Sequence, residues 1–230
     1  MRVVRGSGEN MKSLSFIIPT VDPERPLARC LLSLAKQPLG PHDEAIVVID
    51  GVEGLKPGIE ATVRSFGPQF KVVYLDTGHH CWGHCQQRWA AKFMARGDYI
   101  NFNDDDDIWT PGAVERIRAE VDALPEPMPV IFQYRPTARR DALPNEHRID
   151  TVGLSTHMIV FPNVKDKIPV YRCRPMSDRG FVIDTVQAWG GKVRWVDIVI
   201  QIARPSPNEW PEKWGEQRAP RCPFNGRPIL

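Results

Sequence analysis

Asp98-Tyr-Ile-Asn-Phe-Asn-Asp-Asp-Asp-Asp-Ile-Trp-Thr-Pro111 is the stretch on which the fold turns. Tyr99 to Phe102 is a short apolar run of strand type, and four consecutive carboxylates, Asp104 to Asp107, follow it. Ile108 and Trp109 then return to apolar character. Folding therefore gathers four like charges at a strand end, beside core residues. Such crowding costs free energy unless a cation or hydrogen bonds compensate. Mg2+ and Mn2+ are hard, oxygen-ligated ions that bind through one or two carboxylates together with substrate phosphates. The competing reading is a turn and capping cluster ahead of a helix at Pro111.

On either side of this segment, apolar strands alternate with helices. Leu14 to Ile18, Ala45 to Ile49 and Lys71 to Leu75 predict three further strands. Leu27, Cys30, Leu31 and Leu34 form one helical stripe, ended by Pro38 and Gly40. Trp89, Phe93 and Met94 place a helix over 85–96, with Gly97 as its stop. Thr110-Pro111 supplies an N-cap and first turn for a helix whose face is Val114, Ile117, Val121 and Leu124. Beyond three prolines at 125, 127 and 129, strands are expected at 130–133 and 157–161. A polar, arginine-rich loop is expected over 135–150, a helix from Asp178 to Trp189, and a strand pair within 193–203. Continuous apolar strands joined by helices predict an α/β domain with a mostly parallel central sheet flanked by helices.

The 230 residues, 42% hydrophobic and 25% charged, suit one soluble domain over 12–203. Residues 1–11 read as a loose N-terminal extension, and 204–230, rich in proline and tryptophan, as a wrap over the surface. A net charge of +2 argues against a strong polyanion partner. The longest aliphatic run, Ala45 to Ile49, is too short to span a bilayer, and residues 1–11 lack a signal-peptide core. Five cysteines without a disulfide pattern point to a reducing cytoplasm.

Parallel sheets bind ligands beyond the carboxyl ends of their strands. Pro19-Thr20-Val21-Asp22, Asp50-Gly51 and the aspartate run all fall at such ends, so a nucleotide is expected across them. Asp50 would accept hydrogen bonds from base or ribose, and a metal on the aspartates would hold a diphosphate. Arg88 and Lys92, one turn apart, face the same way, for phosphate or base; alternatively, Arg88 covers Trp89. His79-His-Cys-Trp-Gly-His-Cys85 is rich in zinc-ligand types. It lacks a second ligand pair at finger spacing, which favours a plain loop over a zinc site.

Three of these segments together resemble the inverting glycosyltransferase family 2, which has the GT-A fold. Phe16-Ile-Ile-Pro-Thr20 with Leu27, Cys30-Leu31, Ser33-Leu34 and Gln37 resembles its opening strand and helix. Glu44-Ala-Ile-Val-Val-Ile-Asp50-Gly51 is similar to its second strand, with Ile49 in place of the first of two aspartates. Gly97-Asp-Tyr-Ile, Phe102, Asp104 to Asp107, Trp109 and Pro111 resemble its metal-binding DXD segment. The resemblance covers about residues 14–125 and implies a nucleotide-sugar and metal half over 12–125. An acceptor and catalytic-base half would follow over 126–203. It implies Pro19, Thr20, Asp22, Asp50 and Arg88 around the nucleotide, Asp105 facing donor sugar or ribose, and Asp104 and Asp106 for Mn2+ or Mg2+, with Asp106 the direct ligand. Ser177-Asp-Arg-Gly-Phe181 is similar to the acidic motif supplying the base, which would be Asp178; its alternative is a helix N-cap. No histidine follows His157, so the late histidine ligand of some relatives has no counterpart there.

The implied reaction is transfer from a nucleotide-sugar donor, a UDP-sugar in the favoured form, to a hydroxyl acceptor: a glycan, small molecule or modified nucleic acid. Two rivals stand beside it. A nucleotidyltransferase would release pyrophosphate instead of nucleoside diphosphate. A non-catalytic nucleotide- or nucleic-acid-binding module would use Arg135, Arg139, Arg140 and Arg148.

Overall fold

The computed structural model describes residues 11–20, 27–50, 56–75, 84–136, 141–144, 146–151, 153–169 and 177–205. The elements run β1 (Leu14–Thr20), α1 (Leu27–Ala35), β2 (Glu44–Asp50), α2 (Lys56–Arg64), β3 (Phe70–Leu75), α3 (His84–Phe93), β4 (Tyr99–Phe102) and β5 (Ile108–Trp109). They continue with α4 (Ala113–Asp122), β6 (Val130–Pro136), β7 (Ile159–Pro162), α5 (Ser177–Ala188) and β8 (Arg194–Ala203). One sheet takes them in the order β3-β2-β1-β4-β7-β6-β8-β5. The first four strands pair in parallel. β7 joins β4 and β6 antiparallel, β8 pairs parallel with β6, and β5 closes antiparallel on β8. The sheet is thus mostly parallel with antiparallel strands added beyond β4.

Every residue of β1 is buried, because helices cover both faces. Phe16, Ile18, Val47 and Ile49 face the core beneath α1, α2 and α4, whereas Ile17, Ile46 and Val48 pack with residues of α3 and α5. The amino ends of β1 and β2 are tied by a buried carboxylate. Glu44 accepts from Ser15 Oγ at 2.7 Å, Arg96 N–H at 2.7 Å and Lys71 Nζ at 2.6 Å. Gly97 lies against this knot for steric reasons: a Cβ there would sit 2.7 Å from the Leu14 carbonyl carbon and the Ser15 nitrogen.

Several local expectations are corrected. Among the described side chains of α2, only Ile59 and Val63 lie in the core, too thin a stripe to stand out in sequence. Residues 194–203 form one strand, not a pair; its register against β6 shifts on either side of Gln133, which breaks the apolar pattern in two. His157 falls in a 3-10 turn, Thr156–Met158, ahead of β7. Thr110 does not cap α4: Gly112, at φ 74°, occupies that position, and the Thr110 hydroxyl donates to the Val199 carbonyl at 2.8 Å. Among the described residues no helix is long and apolar enough to cross a membrane. Positions 1–10 and 206–230, which hold most of the expected extension and wrap, lie outside the described residues, as do Asp22, Arg139, Arg140 and 79–83.

Candidate active site

β1 and β4 place the aspartate run at their shared carboxyl end. Asn103 N–H donates to Ile17 O at 3.1 Å, so the chain leaves β4 still attached to β1. The Asn103 side chain is fully buried and turns inward, donating to Cys30 Sγ at 3.2 Å and Asp104 O at 3.0 Å. Asp107 N–H then donates to Asp104 O at 3.2 Å, closing the four aspartates into a turn. A turn brings its first and fourth residues together and sends the middle two apart. Asp105, 5% exposed, points back to β1 and accepts from Thr20 Oγ1 at 2.6 Å. Asp106 points the other way, with Oδ2 3.3 Å from Arg204 Nε.

Asp104 and Asp107 converge instead on His157. Its Nε2 lies 3.1 Å from Asp104 Oδ2 and 3.0 Å from Asp107 Oδ2. Ser155 Oγ, 2.7 Å from Nδ1, fixes the ring from behind, and the Tyr134 ring packs 5.7 Å away. Asp107 Oδ1 accepts from the Arg204 main-chain N–H at 2.8 Å, where the chain leaves β8 at φ 49°. Close as they are, His157 Nε2 and Asp107 Oδ2 are buried atoms that make no directed hydrogen bond. Burial alone would lower the imidazole pKa, but the Asp104 and Asp107 carboxylates outweigh it and hold His157 well above the ordinary histidine value. The three ligand atoms lie within 4.8 Å of one another. Two carboxylates and an imidazole, with one ligand atom each gathered at one point, fit a divalent cation of the Mn2+ type once the imidazole gives up its proton, and Asp104, with a 44% exposed side chain, forms the open side.

The first turn of α5 carries Asp178, which is half-buried. α5 packs against the 3-10 turn that holds His157. Phe181 anchors α5 on β4 and β7, with its ring 5.4 Å from Phe102 and 5.7 Å from Phe161. Pro19 and Asp50 lie in β1 and β2, with Asp50 at the carboxyl end of its strand, and Arg88 lies in α3. The side chains of Asp50 and Arg88 lie outside the described residues. The structure thus brings Thr20, Asp104, Asp105 and Asp106 to the same end of the sheet. It adds Asp107, His157 and Arg204, none of which the sequence reading named among the site residues. Of the basic cluster, Arg148 is paired with Asp150 at 2.7 Å and Glu146 at 3.8 Å.

A β3-β2-β1-β4 parallel half with an acidic turn at its carboxyl edge, extended by antiparallel strands, defines the GT-A class of glycosyltransferase folds. S. aureus TarS superposes with a TM-score of 0.70 at 20% identity, over 85% of this chain and 37% of TarS. The mannosyltransferase PcManGT from Pyrobaculum calidifontis, solved with GDP-Man and Mn2+, superposes at 0.61 with 13% identity, over 87% of this chain and 59% of that one. In sequence, the chain is 31% identical over 109 residues to the uncharacterized glycosyltransferase YwdF of Bacillus subtilis (strain 168), covering 47% of this chain and 38% of YwdF. It spans well under half the length of YwdF and of TarS. The profile of Glycosyl transferase family 2 matches residues 15–179, and the chain belongs to that family.

Proposed function

We propose that the protein is a metal-dependent, inverting glycosyltransferase that moves a sugar from a nucleoside diphosphate donor to an acceptor hydroxyl. The observation that carries this reading is the Asp104–Asp107–His157 triplet, with its two buried, undirected polar atoms at the ligand edge of the sheet. These three residues would hold Mn2+ or Mg2+, and the imidazole favours Mn2+. When bound, the ion supplies a Lewis acid that neutralises charge on the departing diphosphate. A UDP-sugar is the donor we favour, because TarS 1-349 has been solved with UDP and with UDP-GlcNAc.

The chain's own residues do the rest. Pro19, Thr20, Asp22, Asp50 and Arg88 would bind the nucleotide. Asp105, held by Thr20, faces the ribose or donor sugar. Asp178 takes the proton from the acceptor hydroxyl as its oxygen bonds to the anomeric carbon. The bond from that carbon to the diphosphate oxygen breaks on the opposite face, and the electron pair leaves with the diphosphate.

The test is to incubate the full chain with UDP-sugars and candidate acceptors, with and without Mn2+, and to identify the phosphate product. UDP release that requires Mn2+ supports the proposal. Pyrophosphate release would favour the nucleotidyltransferase. Asp178→Asn should lower kcat by at least about 10²-fold, the usual weight of a general base, with UDP affinity unchanged.

A further inference from the structure

β4 interrupts its apolar sequence with one polar residue, Asn101, 2% exposed. Every hydrogen-bonding position of its amide is used. Nδ2 donates to the carbonyls of His157 at 3.4 Å and Ile159 at 3.2 Å. Oδ1 accepts from Trp109 Nε1 at 3.3 Å and from Gln201 Nε2 at 2.8 Å. Gln201 is itself fully buried in β8, and also donates to Phe102 O at 3.2 Å. The backbone geometry explains the need for amides here. The ladder between β4 and β7 stops at Asn101↔Val160, and β5 and β8 are reached from β4 only through side chains such as Trp109 and Gln201. Two side-chain amides stand in for the missing ladder.

Three of the four partners lead to the triplet. One is the main chain of His157. Another is Trp109, two residues beyond Asp107. The third is Gln201, three residues before Arg204, whose N–H holds Asp107. A residue that only filled space in β4 would be apolar, as its neighbours are.

We propose that Asn101, acting with Gln201, is the positioning residue of the Asp104–Asp107–His157 triplet and sets its affinity for a divalent cation. This rests on the metal reading given above. Partners behind metal ligands typically contribute about 10- to 100-fold in affinity. A purely structural amide would change melting temperature and leave the affinity of the folded protein alone.

The experiment measures the Mn2+ Kd of the full chain by the paramagnetic resonance signal of free Mn2+, with no donor or acceptor present. Asn101→Leu and Gln201→Met are compared with wild type and with Val63→Ala, a core change under α2 chosen to lower stability without touching the network. The expected result is a rise of about 10- to 100-fold in Kd for both network variants and less than about threefold for Val63→Ala. Folding is checked by circular dichroism; should Asn101→Leu fail to fold, Gln201→Met decides alone. A Kd within threefold of wild type in a folded network variant overturns the inference and leaves the metal reading standing. An equal rise in Val63→Ala overturns it too, by assigning the effect to general loosening. Wild-type protein that binds no Mn2+ overturns the metal reading and this inference with it.

Discussion

Removing the His157 imidazole should destabilise the protein without metal and widen the deficit with it. In chelator, His157 is the cation that faces Asp107, whose side chain is 2% exposed. Deleting one partner of a buried pair leaves an uncompensated charge, at a cost of about 3–5 kcal/mol. Arg204 N–H still serves Asp107 Oδ1, and Asp104 is 44% exposed, so we expect the low end of that range for His157→Ala. At about 2–4 °C per kcal/mol for a domain of this size, the melting temperature should fall by roughly 6–12 °C. Neutralising the stranded carboxylate with Asp107→Asn in the same chain should recover much of the loss. With Mn2+ at a hundredfold excess over Kd, wild type should gain about 2.7 kcal/mol by mass action and His157→Ala almost nothing. The pH sense follows from the elevated imidazole pKa. In chelator, the His157 contribution is complete below the unfolded value of about 6.5 and is lost as pH rises through the folded value. The assay is thermal unfolding followed by circular dichroism in EDTA and in Mn2+, at pH 6 and pH 9. An unchanged melting temperature in EDTA, or a double variant no more stable than His157→Ala, would refute the reasoning.

Other parts of the molecule give independent tests. Glu44 is pushed up by burial, but Lys71, Arg96 N–H and Ser15 outweigh that and hold it below the ordinary glutamate value. Its stabilisation is therefore present above about pH 4.3 and lost as pH falls through the folded value; Glu44→Gln should cost about 1–3 kcal/mol in urea titrations at pH 7 and flatten the acid limb. Gly97→Ala would drive a methyl into the β1 backbone, and the urea midpoint should show a loss of about 1–3 kcal/mol. The turn geometry ranks Asp107 ahead of Asp106 as a metal ligand. Asp107→Asn should raise the Mn2+ Kd by at least about tenfold and Asp106→Asn by less, with the reverse order favouring the DXD spacing.

Much of this architecture is readable in one dimension because local chemistry decides it. β1, β2 and β4 are buried on both faces, so their apolar runs announce themselves, and the α1 stripe of Leu27, Cys30, Leu31 and Leu34 is unbroken. The aspartate run was visible for the same reason. Its internal arrangement was not, because spacing in a turn pairs the first and fourth positions, which an alternating DXD pattern passes over. His157 escaped because it joins the site from 50 residues away, through a strand that runs antiparallel to its neighbours. The available signal was fainter: Asn101 is the one polar residue between Ile100 and Phe102 in β4, Gln201 interrupts the apolar run 198–203 of β8, and both sit behind the triplet. α2, with two core residues, had almost no pattern to read.

The hydrogen bond from Arg204 to Asp107 has a temporal meaning for a chain made from its amino end. Aspartates, imidazole and clasping amide emerge in that order, separated by about 100 positions, so a ribosome must deliver β8 before the cation cradle is complete. Until then the nascent polypeptide carries a repelling acidic knuckle without its fastening, and a truncation before Arg204, which keeps the three proposed ligands but loses the clasping N–H, should hold the proposed cation about 10- to 100-fold more weakly.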